Sequence, residues 1–263
     1  MLTARLKPSQ FSRDIEKEHA GRVSLLTVNN YLLYGISDRV NAIVKIPWVK
    51  WAQSAEEPDN HHRTETITGF RDLSFGLRWV IRNETVGPGQ RLFLGINMSI
   101  PSAESYSINP FTEDADSVKH SHFALGTGQT ISDLNGEWWF RSEFPWVLGI
   151  TGLYRFSWQP SVIDYRLGQQ AVIVLHGIRQ EPVFRNSFVY IRLTTKVERP
   201  DLWDGEKAPN SGGVYMDWMA GLNFEFTESL SGVLSFEYPL WRAVRGTQLD
   251  PLSMAISIRK IMN

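Results

Sequence analysis

The chain contains no cysteine, which removes disulfide frameworks, thiolate nucleophiles and cysteine-ligated metals together. It has no excess of charge of either sign. With 27 basic residues against 28 acidic ones, the balance offers no footprint for nucleic acid or another polyanion. It also lacks a long apolar run. A spanning helix needs about 20 consecutive apolar residues, and the best uncharged stretch, residues 144–154, is about half as long. A spanning β-strand needs only about 9 to 11 residues and shows half of them to lipid. A mean hydropathy of -0.24 therefore leaves a membrane barrel open. Residues 1–21 carry Arg5, Lys7, Arg13, Asp14, Glu16, Lys17 and Glu18 and no apolar signal-peptide stretch. On a barrel reading, any secretion signal precedes residue 1.

What the chain does have is alternation of period 2. Across 214–227 every even position is apolar: Val214, Met216, Trp218, Ala220, Leu222, Phe224 and Phe226. The odd positions are polar or small except Met219 and include Asp217 and Glu225. Successive side chains of a strand point to opposite faces, so one face is greasy and the other charged. Residues 72–82 set Leu73, Phe75, Leu77, Trp79 and Ile81 against Asp72, Ser74, Gly76, Arg78 and Arg82, and 91–100 repeat the pattern. Segments 40–48, 134–141, 187–198, 230–240 and 252–262 read similarly with more exceptions. Segments 146–158 and 169–179 are apolar enough for strands but alternate poorly, and 23–34 is ambiguous in phase.

The links between these segments alternate in length. Those at 37–39, 83–90, 142–145, 181–186 and 227–229 are short, whereas those at 53–70, 101–128, 159–168, 200–213 and 242–251 are long. Outer-membrane barrels pair short periplasmic turns with long outer loops. Eleven strands are readable, and the last runs toward the short-turn side, so an even-numbered barrel needs one more, for which 3–11 is the only candidate. The expectation is an all-β, antiparallel, up-and-down transmembrane barrel of about 12 strands, a single domain over 1–263 in the bacterial outer membrane.

Four segments carry a family resemblance. YGISDRVNAIVKIPWV at 34–49 resembles the hairpin YGLTDRLELGLSLPYV of a family of outer-membrane barrels associated with the meta-pathway of phenol degradation. GFRDLSFGLRW at 69–79 is similar to that family's GLGDLTLGLKY, NMSIPSA at 97–103 to its PTG-containing segment, and LGTGQTISD at 125–133 to its GTG segment. The resemblance covers the first half of the chain. It implies an outer-membrane barrel linked to uptake of small hydrophobic or aromatic compounds, similar in spirit to fatty-acid and toluene channels.

The charged residues on the polar phase are the candidate lumen lining: Asp72, Arg78, Arg82, Asp133, Glu137, Arg141, Arg192, Lys196, Glu198, Asp217, Glu225, Glu237 and Arg259. Inside a barrel they line water or pair with one another, because an unpaired buried charge is costly. They read either as a structural lattice of ion pairs filling a narrow lumen or as a charged constriction that selects solutes. Trp48, Trp79, Trp138, Trp146, Trp158, Trp218 and Trp241 are candidates for the membrane-interface girdles, where an amphipathic ring sits between lipid and water.

Other chemistry finds little support. His61 and His62 fall in one long link and His120 and His122 in another, without helical metal-ligand spacing, and read as solvated surface. His120 and Ser121 have no identifiable orienting partner for a lipase-like triad. Gly126 and Gly128 fail the dinucleotide pattern because Ile131 stands where its third glycine belongs. No catalytic residue, cofactor or metal is expected. The sequence reads as a channel for small, hydrophobic or aromatic solutes, contacting membrane lipid and lipopolysaccharide, with segment 101–128 long enough to gate the lumen. The alternative is a non-transporting anchor that holds an envelope protein.

Overall fold

The computed structural model describes residues 2–10, 21–55, 65–84, 86–105, 107–108, 119–120, 124–143, 145–184, 186–208, 211–246 and 252–260. Twelve strands form one antiparallel ring. They are β1 (Leu2–Gln10), β2 (Gly21–Ser37), β3 (Val40–Ala55), β4 in two stretches (Glu65–Phe70 and Ser74–Asn83), β5 (Gly89–Ser99) and β6 (Ile131–Arg141). After these come β7 (Trp146–Ser157), β8 (Gln170–Arg179), β9 (Ser187–Glu198), β10 (Gly213–Thr227), β11 (Leu230–Val244) and β12 (Ser253–Lys260). Each strand pairs with the next. The twelfth returns to the first, with Leu2 opposite Ile258 and Leu6 opposite Met254. The ring therefore has no unpaired edge, as hydrocarbon requires when no water is present to satisfy backbone N–H and C=O groups.

The outward phase is the greasy one. Along β8, Ile173 and Leu175 are 54% and 49% exposed, while Val172, Val174 and His176 between them are half-buried. Phe75, Leu77, Trp79, Leu94, Ile96, Trp218 and Ile256 share the same outer face of their strands. Short and long connections alternate around the ring as expected, and the short, polar N-terminal segment at 2–10 is indeed the strand that closes it.

Three features differ from expectation. The link at 53–70 contains a strand, since Glu65–Phe70 pairs with the outer part of β3, from Trp48 opposite Phe70 to Gln53 opposite Glu65. It was hidden because its residues are mostly polar. Between its two stretches β4 breaks at 71–73, opposite Pro47. Arg71 N–H donates to the Pro47 carbonyl, 2.8 Å away. In a strand N–H and C=O of one residue point the same way, so the donor that proline lacks is missing on the β4 side, where the ladder stops. The links at 159–168 and 200–213 also hold short strands, Tyr165–Arg166, Leu202–Trp203 and Glu206–Lys207, which form a small sheet of their own.

Leu175 sits midway along β8, facing outward. Leu175→Arg should cost about 2–4 kcal/mol in urea titrations of the protein refolded into lipid bilayers. Val174→Arg, one residue away on the inner phase, should cost clearly less.

Candidate functional site

The inner wall is built from register. Arg78, Gly95, Asn135, Leu153, Val172, Lys196, Tyr215 and Arg242 are successive cross-strand partners from β4 to β11, hence on one face of the sheet. The charges on this face pair. Arg78 donates from Nη2 to Glu137 Oε2 over 2.8 Å. Arg155 grips Asp133 at two points, Nε to Oδ1 at 2.6 Å and Nη2 to Oδ2 at 2.8 Å, the fork geometry that makes such pairs strong. Arg192 reaches Glu237 over 2.6 Å, Lys196 reaches Glu198 over 2.8 Å, and Arg242 bonds to Asp217.

These pairs run along the wall. Arg155–Asp133 and Arg242–Asp217 join neighbouring strands, and Lys196–Glu198 stays on one. Arg78–Glu137 and Arg192–Glu237 each step over a single intervening strand. The first is helped by Gly95, whose missing side chain leaves the room that Asn135 Oδ1 occupies 2.0 Å from where a Cβ would stand. Rings lie among the charges. Arg78 stacks on Phe93 at 3.8 Å and Lys196 sits 3.9 Å from Tyr215, both close enough for cation–π attraction. Trp139 lies over Gly149 and meets His176 at 4.9 Å. His176 in turn bonds to Thr151 Oγ1 and Tyr190 Oη at 3.0 and 3.1 Å. Arg78 Nε, Arg192 Nε and Arg141 Nη2 are buried without an acceptor from the described residues.

The expected lining residues divide. Arg78 and Glu137, Arg192 and Glu237, and Lys196 and Glu198 are brought together, whereas Asp133 and Asp217 pair with Arg155 and Arg242. Glu225 and Arg259 share a register line through Ser231 at the short-turn end. Arg141 also lies there, donating to the Gly87 carbonyl over 2.6 Å. Arg82 is not on the inner face. A bulge between Val80 and Arg82 shifts the phase, and Arg82 stands opposite outward-facing Leu92, largely exposed and paired with Glu84. Asp72 precedes the second stretch of β4 and faces a loop base rather than the lumen. Arg155, Arg242, Lys45 and the Trp139–His176–Tyr190 group escaped the sequence reading. Lys45 and Arg155 are each the lone charge in an apolar stretch, a signal that could have found them.

Asp72 is 8% exposed and accepts four hydrogen bonds. Ser102 and Ala103 N–H donate to Oδ1, each at 3.1 Å, and Thr127 N–H and Oγ1–H donate to Oδ2 at 2.7 and 2.8 Å. A Cβ at Gly126 would meet Asp72 Oδ1 at 2.7 Å, so glycine is required beside this knot. Gln129, fully buried, continues it by accepting from Leu167 N–H at 3.1 Å. Beyond it Asp201 accepts from Gly168 N–H at 2.7 Å and from Tyr165 Oη–H. Three long-loop bases are thereby tied together. Most of segment 106–123, including His122, lies outside the described residues, as do His61 and His62.

Of the aromatic girdle candidates, Trp146 begins β7 and Trp138 lies near the inner end of β6, both toward the short turns. Trp158 directly follows β7 and Trp241 lies near the end of β11, both toward the long loops. Trp158 donates from Nε1 to Ser132 Oγ at 2.8 Å and Trp138 to Gln90 Oε1 at 3.1 Å, each keeping its polar atom satisfied. Trp48, Trp79 and Trp218 stand within their strands, opposite Val28, Leu94 and Leu193 respectively.

No protein-family model matches the chain, and no curated protein does. Solved structures do. An outer-membrane channel from Pseudomonas putida F1 is similar over 99% of this chain and 93% of its own, at TM-score 0.69 and 12% identity. The β domain of the Bordetella autotransporter BrkA is similar at TM-score 0.55 and 12% identity, covering 99% and 98% of the two chains. The translocator domain of autotransporter NalP from Neisseria meningitidis reaches 0.51 and 8% identity, covering 99% and 88%. The fold is that of bacterial outer-membrane β-barrels.

Two outcomes follow. Asp72→Ala leaves four donors without their acceptor, a local loss of about 2–3 kcal/mol. Hydrogen exchange at the Ser102, Ala103 and Thr127 amides should therefore speed up by roughly 30- to 150-fold, while the barrel stays folded by heat-modifiability on gels. The second concerns Tyr165, whose phenol burial raises well above its ordinary value, with Asp201 adding to the shift. A pKa raised in the folded state means that the stabilisation is complete below the ordinary phenol value of about 10. It is lost as pH climbs toward the folded value. A difference titration at 295 nm between the wild type and Tyr165→Phe should show one phenol ionising later than the rest.

Proposed function

We propose that this barrel is an outer-membrane channel that passes small solutes through its lumen, with hydrophobic or aromatic compounds as its cargo. What supports this most directly is the course of the ion pairs. Twelve strands spaced about 4.8 Å apart and tilted about 40° give a backbone radius of roughly 12 Å. A salt bridge closing such a lumen would join strands roughly six apart. Every described ion pair on the inner wall joins strands no more than two apart, so the lattice lines the passage and leaves its middle free. The half-buried rings of Phe93, Trp139 and Tyr190 on the same wall provide flat apolar surface for an aromatic solute. The similarity to a solved outer-membrane channel and the four-segment resemblance point the same way. The described residues of the wall form no catalytic triad, and the reading assigns the protein no reaction.

The anchoring alternative takes the same charges as filling, and wall-hugging pairs speak against it. The two readings separate in planar bilayers. Purified protein should give discrete conductance steps, and a deletion strain should take up a small aromatic compound more slowly. Silent membranes, unchanged uptake and a partner co-purifying in equal amount would hand the protein to the anchoring reading.

A further inference from the structure

Among the described residues, the long-loop mouth of the lumen gathers three cations whose neighbouring carboxylates are all already engaged. Lys45 is on the inner phase of β3, opposite Ser74, whose hydroxyl bonds to that of Ser99 on the same face at 2.6 Å. Arg71 lies in the break of β4, its backbone tied to Pro47 two residues beyond Lys45, and its Nε donates to the Leu125 carbonyl at 3.1 Å. Arg155 comes from β7, near the long-loop end of that strand. Arg155 stands on the register line that runs through Asp133, Asn97 and Gly76 to Ile43, two residues from Lys45 on the same face, and the three cations act on one another electrostatically.

The nearby carboxylates are already committed. Asp133 is held at both oxygens by Arg155, Asp72 accepts four hydrogen bonds from the loop bases, and Glu198 accepts from Gln170 Nε2 and Lys196 Nζ at 2.7 and 2.8 Å. Lys45 forms no ion pair with a described residue; the Tyr31 ring, 5.7 Å from its Nζ, is its recorded contact. Like charges brought together in a partly desolvated place raise one another's cost, and an added anion relieves it. The covalent chain supplies no such anion among the described residues. Deeper in the wall Arg78 Nε and Arg192 Nε, without an acceptor among the described residues, are again donors.

We propose that Lys45, Arg71 and Arg155 form an anion-binding site at the outer mouth, and that it takes the carboxylate of a small organic acid. The proposal rests on the channel reading and sharpens it: the solute enters carrying a negative charge. Lys45 is the discriminating residue, because the other two cations already have acceptors. A carboxylate seated here gains a charge-assisted partner without breaking the Arg155–Asp133 fork.

The test uses the full chain in planar bilayers under a potassium chloride gradient, with benzoate, benzyl alcohol and benzylammonium as isosteric probes of negative, zero and positive charge. The reversal potential should have the sign of chloride preference. Benzoate should reduce the current at concentrations at least about tenfold lower than the other two probes. In Lys45→Glu the preference should shift several-fold toward potassium and the benzoate effect should vanish. Lys45→Gln, checked for folding by heat-modifiability, should lie between. Potassium preference in the wild type, or equal effects of the three probes, would overturn the proposal while leaving a channel in place. If no conductance appears the channel reading fails, and calorimetry of benzoate binding to the detergent-solubilised protein decides the site alone. Binding weakened at least tenfold by Lys45→Glu would uphold it, and absent or unchanged binding would end it.

Discussion

A backbone amide in hydrocarbon has no water to bond to, and closure of the ring by β1 on β12 answers that constraint for every strand at once. An open sheet of the same sequence would leave two rows of donors and acceptors facing lipid, each unsatisfied group costing several kcal/mol. Closure explains why a segment as polar as Leu2–Gln10, with Lys7 and Pro8, is a strand at all. The pairing it completes removes the unpaired edges of both neighbours. It also fixes the parity of the barrel, since β1 starts and β12 ends on the short-turn side.

Once closed, the ring divides side chains by phase. The outer phase has to be apolar and the inner one may hold charge, but only charge that is answered. The five ion pairs show how this is managed in a narrow, partly desolvated space: acceptors are found one or two strands away, along the wall, where geometry is set by the ladder. Two of the pairs step over a strand, Arg78–Glu137 past Gly95 and Arg192–Glu237 past Met219. Among the described residues the charged exceptions are cationic, since Arg78, Arg141 and Arg192 each keep a nitrogen without an acceptor and Lys45 has no carboxylate.

Legibility in the sequence followed the contrast between the two faces. The second stretch of β4, β5 and β10 were plain because lipid-facing leucines and tryptophans alternate with glycine, asparagine and charge. β7 was obscure because Val147 and Leu153 face inward and Gly152 outward, which erases the alternation. That same erasure concealed Arg155, a charge with no polar neighbours to mark its phase. Arg82 shows the opposite failure. The pattern there was clear, but one bulged residue reverses everything after it, and a bulge leaves no compositional trace. Asp72 was assigned by extending the alternation two residues beyond the point where the ladder begins. The outer half of the β3–β4 hairpin was missed because a strand rising past the ring has no apolar face to advertise.

Asp72 also gives physical meaning to the resemblance. It belongs to the GFRDLS segment, Ser102 and Ala103 belong to the NMSIPSA segment, and Gly126 and Thr127 belong to the LGTGQTISD segment. Residues far apart in sequence meet at one carboxylate, which needs donors from two loop ends and a glycine to let them approach. Short motifs of this kind specify a knot at a loop base, independently of what passes through the barrel. The knot continues through Gln129 and Asp201 to the small sheet above β8 and β9. Arg71, adjoining Asp72 and bonded to Leu125, is held by the same construction. The positive mouth is thus carried on the most heavily hydrogen-bonded part of the loop region, and a site meant to recognise charge benefits from donors that do not have to be ordered when the solute arrives.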